Sequence, residues 1–419
     1  MTKVITYGTY DLLHEGHVRL LKRAKALGDY LIVGVTSDDY DRTRGKINAA
    51  QSFMERLEAV KALGIADQIV AEEYDGQKID DIRRYGVDIF TVGSDWVGKF
   101  DYLNEYCKVH YLPRTEGVSS SEIRARQRMI RLGLYGQGRV VEKYRNECQF
   151  VNGLACAGVA TTRTGFRALL KKCDAVYIQS HPRDHVRDVT EALKAGKHVI
   201  CESPVALSVA DCRRLFRLAA QRRLVLMDAI KTAYSTAYNR MLLLVKSGKI
   251  GDVVSVDATC TSLMEPFKTS GELQKRWNSR QAWAPAALLA VFQLLGTDYA
   301  DCRTTSFFAR GSKDFDLFTK FDFRYQSAVA TVKVGKGVKS EGELIVSGTR
   351  GYVYVPAPWW KTDYFELRAE NPADNRRYFY QLDGEGIRCG LVSLVKSVTG
   401  NRGTFIPEKY SELISKLIG

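Results

Sequence analysis

At 419 residues the chain is too long for one ordinary domain, and two or three are expected. Its composition, 45% hydrophobic and 26% charged, is that of a soluble globular protein. No run reaches the roughly 18 uninterrupted apolar residues that a membrane-spanning helix needs. The net charge of +14 is uneven: residues 1–128 hold 19 Lys+Arg against 20 Asp+Glu, and the remainder holds 43 against 28.

That basic excess fits an anionic ligand, an anionic membrane surface or an acidic partner, and equally a merely solvated surface. No RNP-type aromatic motif and no zinc-finger spacing is present, so nucleic acid is not an expected partner. The start, "MTKVITYGTYD", reads as a buried strand and turn rather than an export signal. Nine cysteines without CxxC pairs then read as reduced, mostly buried thiols in a cytoplasmic protein.

The first part alternates strands and helices. Strands are predicted at Val4–Tyr7, Tyr30–Thr36, Gln68–Ala71, Ile89–Val92 and Lys108–Leu112, with helices near 16–27, 52–63 and 77–86. Such alternation gives a parallel α/β sheet with ligands at the strand carboxyl ends. A polar helix, "SSSEIRARQR", closes this part, and a fresh strand with a glycine turn, "MIRLGLYGQG", places a domain boundary near residue 128. The βα pattern then continues to about residue 230 through "DAVYIQS" and "KHVICESP". After about residue 250 alternating segments such as "DVVSVDATCTSL" and "GELIVSGTRGYVYV" predict a mostly antiparallel sheet.

The first strand runs into "GTYDLLHEGH", with His14 and His17 three apart where a helix opens. Backbone N–H groups and the positive dipole end make such a junction a phosphate site. Together with "GSDWVGKFDYL" and "YLPRTEGVSS", this stretch resembles the HxGH nucleotidyltransferases, and among them the bacterial glycerol-3-phosphate cytidylyltransferases, over essentially all of residues 1–128. The resemblance implies attack of a polyol phosphate on the α-phosphorus of CTP, with Mg²⁺ accompanying the nucleotide and pyrophosphate leaving. It implies that His14 and His17 stabilise the pentacoordinate phosphorus, that Lys46 neutralises the departing pyrophosphate, and that Arg114 clamps the β and γ phosphates.

By the same resemblance Thr9, Tyr10 and Asp11 belong to the phosphate turn. Arg44 adds charge, Arg56 braces the site, and Asp95 and Trp96 lie toward the base. Thr115, Ser119 and Ser120 take the β and γ phosphates. Glu15 reads as structural. Ser94 stands where the family has aspartate.

In the second part "LGLYGQGRV" places Gly133, Gly136 and Gly138 after a strand, a weak dinucleotide fingerprint alone. With "DAVYIQSHPRDHVRDVTEALKAGKHVICESPVALS" it resembles the glucose–fructose oxidoreductase and inositol dehydrogenase family, which implies an NAD(P) site near Gly133, Gly136, Gly138, Glu202, Ser203 and Pro204. The family lysine of "EKP" is here Ser203. No acidic residue follows "FVNGLACAGVATT" to hold a ribose hydroxyl. Only 35 residues separate Gly138 from Asp174, so this Rossmann domain is expected to be shortened.

Lys231 either approaches the same cleft or holds a surface or structural post, the latter being favoured. His181 and His185, four apart, lack a third metal ligand, and no metal site is predicted. Trp359 and Trp360 read as core or as an interface. The expected architecture is a Rossmann-like nucleotidyltransferase domain (1–128), a shortened Rossmann domain (129–250) and an open antiparallel α+β sheet domain (251–419). The second part is expected to be either a working NAD(P)-dependent reductase that makes the polyol phosphate or, as favoured, impaired in hydride transfer and an oligomerisation or docking module in a homo-oligomer.

Overall fold

The structure is a computed structural model, and it describes residues 1–38, 40, 49, 51–74, 76–113, 129–265, 270–380, 382–400 and 406–419. The chain divides into two compact units, Met1–Arg128 and Met129–Gly419. The predicted helix over 119–128 lies outside the described residues.

In the first unit β1 (Lys3–Gly8), β2 (Tyr30–Thr36), β3 (Gln68–Glu72), β4 (Ile89–Gly93) and β5 (Lys108–Leu112) form one parallel sheet in the order β3-β2-β1-β4-β5. Successive side chains of a strand point to opposite faces. Val4, Leu31, Val33 and Val35 therefore enter one core with Leu21 and Ala24 of α1 (Glu15–Lys25) and Val60 of α2 (Phe53–Ala62). Ile5, Ile32 and Phe90 enter the other with Ile82 of α3 (Gln77–Tyr85). The chain crosses from one side of β1 to the other at β4, so the carboxyl ends of β1 and β4 flank a crevice, the usual ligand position in such sheets.

The second unit begins with β6 (Ile130–Gly136), α4 (Arg139–Cys148), β7 (Leu154–Ala160), α5 (Arg163–Leu170), β8 (Ala175–Gln179), α6 (Pro182–Lys194), β9 (His198–Cys201), α7 (Val209–Gln221) and β10 (Leu226–Asp228). The sheet is parallel, in the order β10-β9-β8-β6-β7. The 35-residue interval after Gly138 holds α4, β7 and α5 with short connections. A full dinucleotide-binding sheet has a sixth strand outside β7; here β7 is the edge, so the half is shorter by one strand.

After α8 (Thr236–Lys246) come β11 (Val253–Ser262), α9 (Ser279–Leu295), β12 (Asp301–Phe308), β13 (Asp316–Arg324), β14 (Val329–Lys336), β15 (Leu344–Gly348), β16 (Gly351–Val355), β17 (Tyr364–Arg368) and β18 (Arg376–Phe379). They form an eight-stranded sheet in the order β12-β13-β14-β11-β15-β16-β17-β18. The expectation of an antiparallel sheet holds except at its middle, where β11 and β14 are parallel over Ser255–Ser262. Helix α9 covers that pair, with ten of its seventeen residues buried and none exposed.

Helices α10 (Ile387–Val398) and α11 (Glu408–Ile418) return to the Rossmann half. Helix α11 lies on α7, with Ser411 Oγ donating to the buried Asp228 carboxylate (2.8 Å) and Arg213 paired with Glu412 (2.9 Å). Helix α10 lies on α4, where Arg388 pairs with Glu147 (2.8 Å). All nine cysteines are free thiols: five are buried, three half-buried, and Cys156 is exposed. Among the described residues no helix is long and apolar enough to cross a membrane.

Candidate functional site

The turn between β1 and α1 gathers the first set of predicted residues. His14 caps α1: its backbone is extended (φ −132°, ψ 172°), and its Nδ1 accepts from the Gly16 N–H (3.1 Å). An imidazole accepting at Nδ1 is neutral and carries its proton on Nε2, so it can donate there to a phosphoryl oxygen. One turn on, the His17 ring stacks against it, with centroids 3.9 Å apart and planes 21° apart. The two rings thus form one plate at the helix N-terminus, beside the carboxyl end of β1. Glu15, between them, projects outward and pairs with Arg19 (3.1 Å).

The turn is held from below. Tyr10 adopts a left-handed backbone (φ 51°) and sends its ring into the core, 2% exposed, with its edge toward His17 (5.5 Å). The phenol is thereby placed as a wall of the turn. Gly8 is required by that ring, because a Cβ there would lie 2.9 Å from Tyr10 Cζ.

Asp11 is buried and accepts from the Gln51 N–H (3.0 Å), while Gln51 Oε1 accepts from the Leu12 N–H (2.8 Å). This reciprocal pair ties the histidine turn to the segment that starts α2. Arg56, fully buried, completes the tie. Its guanidinium donates to the carbonyls of Thr9 (2.5 Å), Thr36 (2.9 Å) and Gln51 (3.2 Å) and pairs with Asp38 (2.8 Å). Five N–H groups in a fixed fork suit a set of converging acceptors that a lysine could not serve.

Arg56 therefore acts on the turn's own carbonyls. Asp38 and Gln51 join the site as residues that sequence reasoning did not single out. Asp38 also accepts from the Phe53 N–H (2.9 Å) at the start of α2.

Asp95 and Trp96 lie in a short 3-10 turn directly after β4, on the far side of the crevice. Asp95 is exposed; Trp96 is half-buried against Phe100, with Lys99 over its ring. Arg44, Lys46, Arg114, Thr115, Ser119 and Ser120 lie outside the described residues.

In the second unit Gly136 ends β6, and a Cβ there would lie 2.5 Å from the Gln179 carbonyl. Gly138 caps α4 at φ 90° with open space around it, the close-approach geometry of a phosphate turn. Gly133 is not part of that turn. It lies inside β6, where its bare side receives Leu169 of α5, so its glycine answers to packing.

Glu202, Ser203 and Pro204 follow β9. His185 is fully buried, with its ring nitrogens 2.7 Å from the Pro204 carbonyl and 2.9 Å from that of Ser180. Burial holds its pKa below the ordinary value. His181 instead caps α6 through Nδ1. The pair braces two loops, and among the described residues no group of three or more His, Cys, Asp or Glu could hold a metal ion.

Ser203 lines a cavity of about 420 Å³ together with Glu202, Lys231, Lys336, Trp283 and Trp360. Lys231, whose favoured reading from sequence was a surface or structural post, is in that wall. Trp359 is fully buried and donates to the Thr259 carbonyl (3.0 Å), while Trp360 lines the cavity. Lys336, at the end of β14, is a member that the sequence did not disclose.

Beneath the cavity Asp228 is 2% exposed, and burial raises its pKa from 3.8 to about 6. A carboxyl whose folded pKa is raised stabilises the fold below its unfolded pKa and loses that contribution as pH climbs through the folded one. Asp228→Asn is therefore expected to leave the second unit's melting temperature unchanged at pH 4. At pH 8 it should stabilise by up to about 3 kcal/mol, two pKa units' worth. Thermal melts at both pH values check this, and a variant less stable at pH 8 would show that the ionised carboxylate is needed.

Residues 5–126 match the cytidylyltransferase-like family, and residues 137–229 match the oxidoreductase family with an NAD-binding Rossmann fold. Over 124 residues the chain is 47% identical to the glycerol-3-phosphate cytidylyltransferase of Bacillus spizizenii, covering 30% of this chain and 95% of that one. It is 44% identical to that of Staphylococcus aureus, covering 93% of it. Among solved structures, KijD10, a 3-ketoreductase from Actinomadura kijaniata, aligns with a TM-score of 0.58 at 17% identity, over 69% of this chain and 96% of that one. The UDP-N-acetylglucosamine 3-dehydrogenase GnnA from Acidithiobacillus ferrooxidans aligns at 0.57 and 16%, over 69% and 95%. At such identities the likeness speaks for the fold alone. Through its first unit the chain belongs to the cytidylyltransferase-like family and is a nucleotidyltransferase, with a unit of oxidoreductase fold behind it.

Proposed function

We propose that the first unit transfers CMP from CTP to a polyol phosphate, sn-glycerol 3-phosphate, giving CDP-glycerol and pyrophosphate for cell-surface polymer synthesis. The observation that carries this reading is the stacked His14–His17 plate at an α-helix N-terminus, in a unit nearly half identical to glycerol-3-phosphate cytidylyltransferases. Phosphoryl and nucleotidyl transfer ask little covalent work of the protein; position and charge do most of it. His14 donates from Nε2, and His17 lies against it where charge grows on the α-phosphate. Lys46 and Arg114, with Arg44, Thr115, Ser119 and Ser120, serve the β and γ phosphates, and Mg²⁺ travels with CTP. Thr9, Tyr10, Asp11 and Arg56 hold the turn; Asp95 and Trp96 bound the nucleotide side. Incubation with CTP, Mg²⁺ and a panel of polyol phosphates, read as pyrophosphate release, tests it. Pyrophosphate release that no polyol phosphate stimulates would refute it.

The second unit, in this reading, does not transfer hydride and serves assembly or docking. Ser203 carries no charge where the family places a lysine, and no carboxylate follows β7 to grip a ribose; Thr161 and Thr162 stand there, and Arg163 is committed to Asp188 and Glu191. NADH and NADPH are expected to bind weakly and to give no turnover with dihydroxyacetone phosphate or pentulose phosphates. A second reading, reductive supply of the polyol phosphate, has one observation in its favour: Lys231 shares a cavity with Ser203. Micromolar NADPH binding with turnover, abolished in Lys231→Met, would establish that reading and refute the first.

A further inference from the structure

The cavity of the second unit holds more positive charge than its own carboxylates balance. Lys143, Lys231, Lys336 and Lys361 reach its wall, against Glu202 and Glu385. Glu385 is engaged by two of them: Lys143 donates to one carboxylate oxygen (2.7 Å) and Lys361 to the other (2.8 Å). Those two ion pairs hold its carboxyl down to about 2.

Glu202 accepts from Tyr177 Oη (2.7 Å), and burial biases it toward the neutral form. It feels the charge of Lys231 without being bonded to it. Among the described residues neither Lys231 nor Lys336 has a carboxylate within ion-pair distance. The charge nearest in effect to Lys336 is another cation, Arg276. Two ammonium groups that line one cavity, neither of them in an ion pair among the described residues, leave positive charge to meet an incoming anion.

The rest of the wall describes the ligand's other end. Trp277, Trp283 and Trp360 line the same space, with the Trp283 and Trp360 rings 4.8 Å apart. Trp283 Nε1 already donates to Ser262 (3.1 Å), so its indole offers the cavity an apolar body. About 420 Å³ is the size of a small-molecule site and far more than one inorganic phosphate fills. The C–H edges of a short carbon chain suit indole surfaces.

We propose that this cavity binds a phosphorylated polyol, its phosphate on Lys231 and Lys336 and its carbon chain against the tryptophans. The choice of a polyol phosphate rests on the function proposed for the first unit; the anion site itself does not. The basic surplus of the second unit would then draw in the same class of anion that the first unit consumes.

Calorimetric titration of the full chain without CTP tests this, using sn-glycerol 3-phosphate, glycerol and inorganic phosphate as probes and tryptophan fluorescence as a second readout. Wild type should show a glycerol 3-phosphate component that glycerol does not reproduce and that inorganic phosphate reproduces more weakly. In Lys336→Met and in Lys231→Met that component should weaken by about tenfold to a hundredfold, the range of a lost hydrogen bond to a charged group. Lys336→Arg should recover part of it, which a merely structural lysine would not require. An unchanged isotherm in both methionine variants overturns the site, and equal affinity for inorganic phosphate overturns the polyol assignment. Should pyrophosphate release fail while the Lys336-dependent component persists, the function proposed above falls and the cavity's assignment stands.

Discussion

His17→Ala is expected to lower kcat by about 100-fold, the loss that follows removal of one preorganised donor from developing charge. The affinity for CTP should change much less, since the triphosphate keeps its other partners. The stacked geometry sharpens the expectation. With the His17 ring gone, His14 loses the plane it rests on, 3.9 Å away, and its Nε2 is less well aimed. His14 should nonetheless keep its cap, because Nδ1 bonds the Gly16 N–H regardless. The melting temperature should therefore hold while turnover falls. Single-turnover kinetics with saturating CTP separate the two, and wild-type turnover in the variant would remove His17 from the chemistry.

Arg56→Ala is expected to have the largest effect on stability. It removes a buried cation from three backbone carbonyls and a carboxylate, and leaves acceptors at Thr9, Thr36 and Gln51 without their donor. Each buried acceptor left without a donor costs about 1–3 kcal/mol, so a loss of about 3–5 kcal/mol is expected, which in a unit of this size lowers the melting temperature by roughly 10–20 °C. Arg56→Lys should recover only a fraction, because one ammonium cannot reach acceptors on β2, on the histidine turn and before α2 together. Calorimetry should show one transition moving while that of the second unit stays. A melt within 2 °C of wild type would mean that water replaces the fork without penalty.

Much of the fold can be read in the residues because it is local. Strands β2 and β5 fall where their apolar runs fall, and α2 and α3 follow their periodicity to within a residue or two. The parallel pairing of β11 with β14 could not be read, since a strand covered on one face shows the same alternation whichever way its neighbour runs. Helix α11 is legible in Tyr410, Leu413, Ile414 and Leu417 after Pro407, yet was not among the predicted elements.

The site divides in the same way. His14 and His17 are close in sequence, and their junction announces itself. The inward turn of Arg56 and the meeting of Lys336 with Lys231 depend on which strands are neighbours, and spacing does not carry that information. Glycine shows both cases: Gly138 answers to its backbone, Gly133 to the leucine that fills its place.

The return of α10 and α11 to the Rossmann half has a consequence for the order in which a new chain becomes functional. Everything that holds the first unit together has been translated by residue 128, so this unit can fold while the ribosome is still at work. The second unit cannot close early. Helix α7 waits for α11 to cover it, Asp228 waits for Ser411, and α4 waits for Arg388. At about 5–20 residues per second the intervening synthesis lasts roughly 15–60 s. During that time a finished nucleotidyltransferase trails an incomplete body with exposed apolar surface. Interruption of synthesis after α9 and before α10 and α11 would release chains with a sound first unit and an aggregation-prone remainder.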